Sequence, residues 1–283
     1  MDILKYRKIT YFISLAIIAL GVIMFFTKGF NLGIDFTGGT IITLDLTEYK
    51  SIDELKTITD KFDENASIIH EGESKDKIII KSNKDLSNDD INLLIDEFRS
   101  QYGIDNNNYQ TEKFGPSMGN EIFRRAIISI LVALIFMLIY ISIRFQFNFG
   151  LAAIIALVHD TLIMVSLYLI FNFPVNSAFI AAILTILGYS INDTIIVFDR
   201  IREELSLDKK VKLDVLINNS IKKTLRRTIF TSLTTIMAVL SLYVFGVDAI
   251  RQLALPLMFG MIAGTYSTLF IASPILYNLE LKK

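Results

Sequence analysis

The chain has 283 residues, 52% of them hydrophobic and 20% charged, with a formal net charge of −1 and a mean hydropathy of +0.50. A soluble domain carries about 25% charged residues and a smaller apolar share, so this composition excludes an ordinary soluble globule. No cysteine is present, which excludes a disulfide framework and thiolate chemistry, and two histidines, His70 and His159, argue against a His-rich metal site.

Runs of about 18 or more nearly uncharged residues read as membrane spans, because a helix rising about 1.5 Å per residue must cross roughly 30 Å of hydrocarbon. Ile9 to Phe26 is the first such run, preceded by Lys5, Arg7 and Lys8. Its length, with no small-x-small cleavage site after it, predicts a retained anchor rather than a signal peptide. Residues 1–27 are therefore read as a tail and first span, residues 28–121 as an extracytoplasmic domain, and residues 122–283 as five further spans. Those spans fall at roughly 126–143, 149–171, 175–198, 228–247 and 253–278.

The polar domain alternates in pattern. Between residues 31 and 121 acids outnumber bases by about ten. GTIITLDL (39–46) reads as a strand, and SIDELKTITDKFDE (51–64) as a helix opened by a Ser51–Glu54 capping box. ASIIHEG and KDKIIIKS are short strands, and SNDDINLLIDEFRSQYG (87–103) is an amphipathic helix with a capping residue and a terminal glycine. A last strand near NYQTEKF returns to the membrane. The order β-α-β-β-α-β predicts a ferredoxin-like α+β domain, set between helices 1 and 2 of an all-α six-helix transmembrane bundle.

The connections between spans agree on one orientation. Arg144 lies between spans two and three, and a basic cytoplasmic loop at about 200–226 holds Arg200, Arg202, Lys209, Lys210, Lys212, Lys222, Lys223 and Arg226, with Arg227 just beyond. Lys282 and Lys283 close the chain. All lie on the amino-terminal side, as the positive-inside rule asks, with both termini cytoplasmic. Arg124 and Arg125 are exceptions beside the long translocated loop.

Polar residues inside the spans are the candidate functional groups. His159 and Asp160 sit near the middle of span three, Asn192 and Asp193 in the inner half of span four, and Arg226 and Arg227 at the inner start of span five. Span six carries Gly260, Gly264 and Thr268 at four-residue intervals, an ordinary helix-packing device. His159 and Asp160 read either as a structural pair or as part of a proton path, and the two arginines either as interfacial anchors or as counter-charges. Asp193 is the sharpest case. It lies about 9 Å along the helix from Asp199, too deep for a short side chain to reach water, and a carboxylate there costs roughly 2.5–3.5 kcal/mol on insertion scales. Burial keeps such a group neutral until a cation or water approaches, so it can couple a proton to helix movement. Arg227 is the candidate cation. No GxxxxGK[ST] loop is present, hence no nucleotide site of that type.

Five motifs in series, GIDFTGGT (33–40), GPSMGNE (115–121), VHD (158–160), GYSINDTIIVFDRIRE (188–203) and LRRTIFTSLTT (225–235), together resemble the SecD/SecF family of protein-export membrane proteins, within the resistance-nodulation-division superfamily. The resemblance covers the whole chain. It implies no enzyme activity, no cofactor and no metal. It implies a SecF-type auxiliary subunit that pairs with SecD, associates with the SecYEG channel and acts on a translocating unfolded polypeptide at the expense of the proton-motive force. Membrane lipid surrounds it and no nucleic acid is involved. In this family the Asp of the GYSxND motif and the Arg of the RT motif are implicated in proton transport, and these match Asp193 and Arg227. His159, Asp160 and Asn192 are further relay candidates. Gly33, Gly38, Gly39, Gly115 and Pro116 flank the outer domain as linkers or as a hinge. Two other readings stand beside this one: a self-contained small-molecule or lipid exporter of the same superfamily, and a passive scaffold in which Asp193 only glues helices.

Overall fold

The computed structural model describes residues 3–46, 48–72, 74–104, 108–207 and 211–281. Lys209, Lys210, Lys282 and Lys283 lie outside the described residues. A short 3-10 turn, Leu4–Tyr6, leads into α1 (Arg7–Lys28), which is followed by the four-residue α2 (Ile34–Thr37). The polar segment then folds as β1 (Gly39–Asp45), α3 (Ile52–Thr59), β2 (Ser67–Glu71), β3 (Lys77–Ser82), α4 (Asn88–Tyr102) and β4 (Tyr109–Phe114). The remainder is helical: α5 (Pro116–Arg144), α6 (Phe147–Phe171), α7 (Ser177–Leu207), α8 (Leu213–Phe245), α9 (Asp248–Ser267) and α10 (Ser273–Glu280).

Among the described residues, six helical stretches are long and apolar enough to cross a membrane: Leu4–Lys28, Gly119–Arg144, Phe147–Phe171, Ser177–Leu207, Leu213–Phe245 and Ala249–Glu280. They pack without a uniform apolar seam. α6 and α7 lie inside the bundle, with Ala152, Ala153 and Ala156 giving α6 a smooth buried face. α1, α5 and α8 instead turn Phe12, Phe136, Ile143 and Met237 outward. An apolar exterior of this kind suits helices whose solvent is hydrocarbon.

The small domain has a core of its own. Its four strands form one antiparallel sheet in the order β2-β3-β1-β4. Alternate residues Ile42 and Leu44 on β1, and Ile78 and Ile80 on β3, point to one face and are sealed by Leu55, Ile58, Leu94, Ile95 and Phe98 from α3 and α4. The period-2 alternation of the strands and the apolar stripes of the helices meet across that face. Each helix starts at a serine. Ser87 forms a full capping box with Asp90, whereas at Ser51 only half of the expected box is made: Ser51 accepts from the Glu54 N–H at 3.3 Å, without a return bond. α3 also stops at Thr59, short of the expected residue 64. The segment after it turns so that Asp63 can bind the Asn65 N–H and the Ser82 hydroxyl instead.

Two other elements differ from the expectation. The segment read as a basic loop is largely helix, because α7 runs on to Leu207 and α8 begins at Leu213. Leu216, Ile217 and Ile221 are buried against Phe198 and Ile201, and that apolar contact holds both extensions in helical form. The sixth span is broken by a π turn at Thr268–Ala272. Pro274 lacks the N–H that a regular helix would direct at Phe270 O. The freed carbonyl accepts from Thr10 Oγ1 of α1 at 3.4 Å, and Ser273 Oγ donates to Thr268 O at 3.0 Å.

Candidate functional site

Three positions of α7, namely Ser190, Asp193 and Thr194, fall on one helical face because they are three and four residues apart. All three are buried, and each meets a polar partner on another helix. Asp193, 1% exposed, accepts from Ser232 Oγ of α8 at 3.2 Å. Thr265 Oγ1 of α9 lies 2.7 Å from the same Ser232 hydroxyl. Thr194 is hydrogen-bonded to Thr268 at 3.0 Å. Ser190 donates to Asp160 Oδ2 of α6 at 2.7 Å.

Asp160 opens a second group. Its Oδ1 lies 3.1 Å from His159 Nδ1, and His159 Nε2 is hydrogen-bonded to Ser14 Oγ of α1 at 2.8 Å. The Tyr266 ring stacks on His159 with centroids 6.0 Å apart, and its hydroxyl donates to Thr10 O at 2.8 Å. The fold therefore strings polar side chains from α1 through α6, α7, α8 and α9 across the bundle interior. Close approach of α7 and α9 makes this possible. A Cβ at Gly264 would stand 3.0 Å from Ser190 Oγ, and one at Gly260 would run into Ile186 of α7 and stand 2.8 Å from Met164 Sδ of α6. The small-xxx-small pair is a packing device: Gly264 admits Ser190 on the polar face of α7, and Gly260 admits apolar Ile186 and Met164.

Arg227 is not hydrogen-bonded or ion-paired to Asp193. It is exposed on the chain, lining a charged cleft with Tyr140, Arg144, Asp199, Arg200 and Lys223. Within that cleft Arg200 is engaged by Glu203 at 2.7 Å and by Glu204, and Lys223 by Glu204 at 2.5 Å. Arg226 instead stands over the Phe230 ring at 5.6 Å. Arg227 thus remains without a fixed partner among the described residues. Both arginines sit well inside α8 rather than at its start. Asn192 is exposed and lies outside the buried string.

The flanking glycines have distinct roles. Gly38 and Gly39 adopt φ of +76° and +145°, conformations that side-chain-bearing residues rarely take. Gly33 has an ordinary φ of −68°; its lack of a side chain serves close approach instead, since a Cβ would stand 3.2 Å from Asn176 and from the Val175 carbonyl. Gly115 is the N-cap of α5, and Pro116 takes the first helical position, where its missing N–H costs nothing.

The pattern of ionisable residues in apolar runs pointed to Asp193, Asp160 and His159. It did not point to Ser14, Ser190 or Thr265, since hydroxyls are common in spans and only proximity distinguishes them. The same holds for Gly119, whose missing side chain admits the Phe36 carbonyl.

Comparison with known proteins gives the family. The model of the "Protein export membrane protein SecD/SecF, C-terminal" family matches residues 94–282, and that of the "SecD/SecF GG Motif" matches residues 23–48. The chain is 39% identical over 280 residues to the protein translocase subunit SecF of Helicobacter pylori (strain ATCC 700392 / 26695), covering 96% of this chain and 85% of that protein. It is 37% identical over 288 residues to SecF of Calditerrivibrio nitroreducens, covering 99% and 94%. The crystal structure of SecDF, a translocon-associated membrane protein from Thermus thermophilus, superposes with a TM-score of 0.85 at 33% identity, over 99% of this chain and 39% of that longer one. On these matches the chain belongs to the SecD/SecF family of protein-export membrane proteins.

Proposed function

We propose that this chain is the SecF-type auxiliary subunit of a Sec protein translocase, pairing with SecD and using the proton-motive force to promote late stages of export across the cytoplasmic membrane. Relatives covering nearly the whole chain are named as SecF, and the SecDF match spans 39% of its chain, leaving room there for a second, larger half. A free-standing exporter is not favoured by any of these relatives. On this reading the protein is a transport subunit rather than an enzyme. SecYEG, the translocating polypeptide and lipid are its other partners.

The observation that carries the reading is the state of Asp193. It is a carboxyl group enclosed in the bundle with one neutral hydroxyl donor, while an unpaired guanidinium, that of Arg227, waits in the adjoining cleft. Removing the proton demands a compensating charge in a low-dielectric interior. Arg227 supplies it by closing on Asp193, and protonation releases it again. Each cycle shifts α8 against α7, with about 2.3 kcal/mol available per charge per 100 mV. Ser190, Asp160 and His159 extend the path towards α1, and Asn192 lies exposed beside that string.

The α+β domain is assigned to the ferredoxin-like class and to the extracytoplasmic side. Its β-α-β-β-α-β order and its sheet order support the first, and the basic residues near the opposite ends of the spans support the second. The test is Asp193→Asn in the reconstituted complex with SecD and SecYEG. Assembly should persist and gradient-stimulated export should vanish; normal export in energised vesicles would end the proposal.

A further inference from the structure

α2 stands where the chain passes from α1 into the α+β domain, and three independent contacts hold it. Asp35 Oδ2 accepts from the backbone N–H of Ser177, the first residue of α7, at 2.8 Å. The opening N–H groups of a helix have no partner within it, and a carboxylate there also meets the positive end of the helix dipole. Asn176 caps the same terminus locally, its Oδ1 accepting from the Phe179 N–H at 3.0 Å. The start of α7 is therefore held twice, once by its own neighbour and once by the linker into the outer domain.

The second contact runs alongside. Gly33 N–H donates to Val175 O at 2.7 Å and Val175 N–H donates to Asn31 O at 2.8 Å, a short parallel bridge between the linker and the turn before α7. The third is with α5, where Gly119 in the first turns admits the Phe36 carbonyl and the Phe36 ring meets Phe123 edge-on at 6.0 Å. β1 begins at Gly39, immediately after the Gly38 turn that ends α2. Asp193 lies on α7 sixteen residues beyond Ser177, about 24 Å along the axis. A continuous helix carries an axial shift or rotation over that length to its first residue.

We propose that Asp35 is a positioning residue that couples α7 to the α+β domain, its carboxylate tying the first backbone N–H of the helix that bears Asp193 to the short helix from which β1 departs. This inference rests on the reading of Asp193 as the proton-responsive group. Displacement of α7 reaches the sheet through one hydrogen bond and the flanking bridge, while α5 packs against α2 at Phe36.

Two substitutions remove the same bond from opposite ends. Asp35→Ala deletes the acceptor. Ser177→Pro deletes the donor, at a helical position where proline is well tolerated. The chain has no native cysteine, so a spin-label pair at Glu112→Cys and Phe171→Cys, both exposed, reports the domain-to-bundle distance. In proteoliposomes holding the full chain with SecD and SecYEG, each single variant should broaden that distance distribution and lower gradient-stimulated export about fivefold, the effect of losing one cap in a docking equilibrium. The double variant should be no worse than either single one, because both remove one interaction. Asp35→Asn, which keeps a neutral acceptor, should restore part of the loss. Wild-type export in either single variant, or losses that simply multiply in the double, overturns the proposal. Asp193→Asn in the same vesicles separates the two claims: if it still responds to the gradient the relay reading fails, and the spin-label distances then decide the tie by themselves.

Discussion

Asp63 and Asp193 are both buried carboxylates, at 3% and 1% exposure, yet their surroundings differ in kind. In the α+β domain Asp63 receives the Ser82 hydroxyl at 2.6 Å, the Asn65 N–H at 3.2 Å and the Lys84 ammonium at 3.5 Å. Burial pushes that carboxyl up, but Ser82, the Asn65 N–H and Lys84 outweigh it and hold the group below the ordinary carboxylate value. In the bundle Asp193 has the single Ser232 hydroxyl. A carboxylate with several fixed donors is a structural charge; on the proposed reading, one with a single neutral donor is free to change its state. The number and charge of the donors, rather than depth of burial, separates the two sites.

The largest expected effect breaks this contrast directly. Asp193→Asn should abolish gradient-dependent export with little loss of thermal stability in detergent, whereas Asp63→Asn should leave the proton response intact and destabilise the α+β domain. A melting curve and an export assay on both variants check the pair, and equal effects on the same readout would erase the distinction. Next comes the close packing that surrounds the bundle string. Gly260→Leu must displace Ile186 and Met164, and overpacking of this sort costs about 1–3 kcal/mol or more, read as a lowered Tm and weakened α7–α9 cross-linking.

Ser82→Ala removes one donor from Asp63 and should cost about 1–3 kcal/mol of domain stability, measured by amide exchange in β1 and β3. The acid response follows from the same group. Its folded value is depressed, so its contribution is complete above the unfolded value of 3.8 and is lost as the pH falls through the lower folded value. Exchange protection in β3 should therefore decline in that acid window, and Asp63→Asn should flatten the decline. The smallest effect belongs to the caps: Ser87→Ala, which dismantles the full box, should cost about 1 kcal/mol, and Ser51→Ala less, because only half a box exists there.

Hydropathy alone marked the spans, since crossing hydrocarbon demands long apolar runs whatever their neighbours. Period-2 and helical periodicity likewise marked the elements of the small domain. Asp193, Asp160 and His159 stood out because ionisable groups are costly in such runs. The basic segment after Arg200 was not legible as helix, because Leu216, Ile217 and Ile221 sit among polar and charged residues and show their purpose only against Phe198 and Ile201. The π turn was equally silent, as the bond that the Phe270 carbonyl accepts beside it comes from Thr10, 260 positions away.

Local sequence thus determined which segments enter the membrane, which fold as strands, and which acid has no business in hydrocarbon without a task. Those are costs that each residue incurs with its solvent, and they need no knowledge of the rest of the chain. Tertiary structure alone decided that Ser232 faces Asp193, that Arg227 stays in the cleft, and that Asp35 caps a helix starting 142 positions later. Hydrogen bonds and ion pairs act over a few ångströms between residues whose sequence separation is arbitrary, so only the packed chain brings them together.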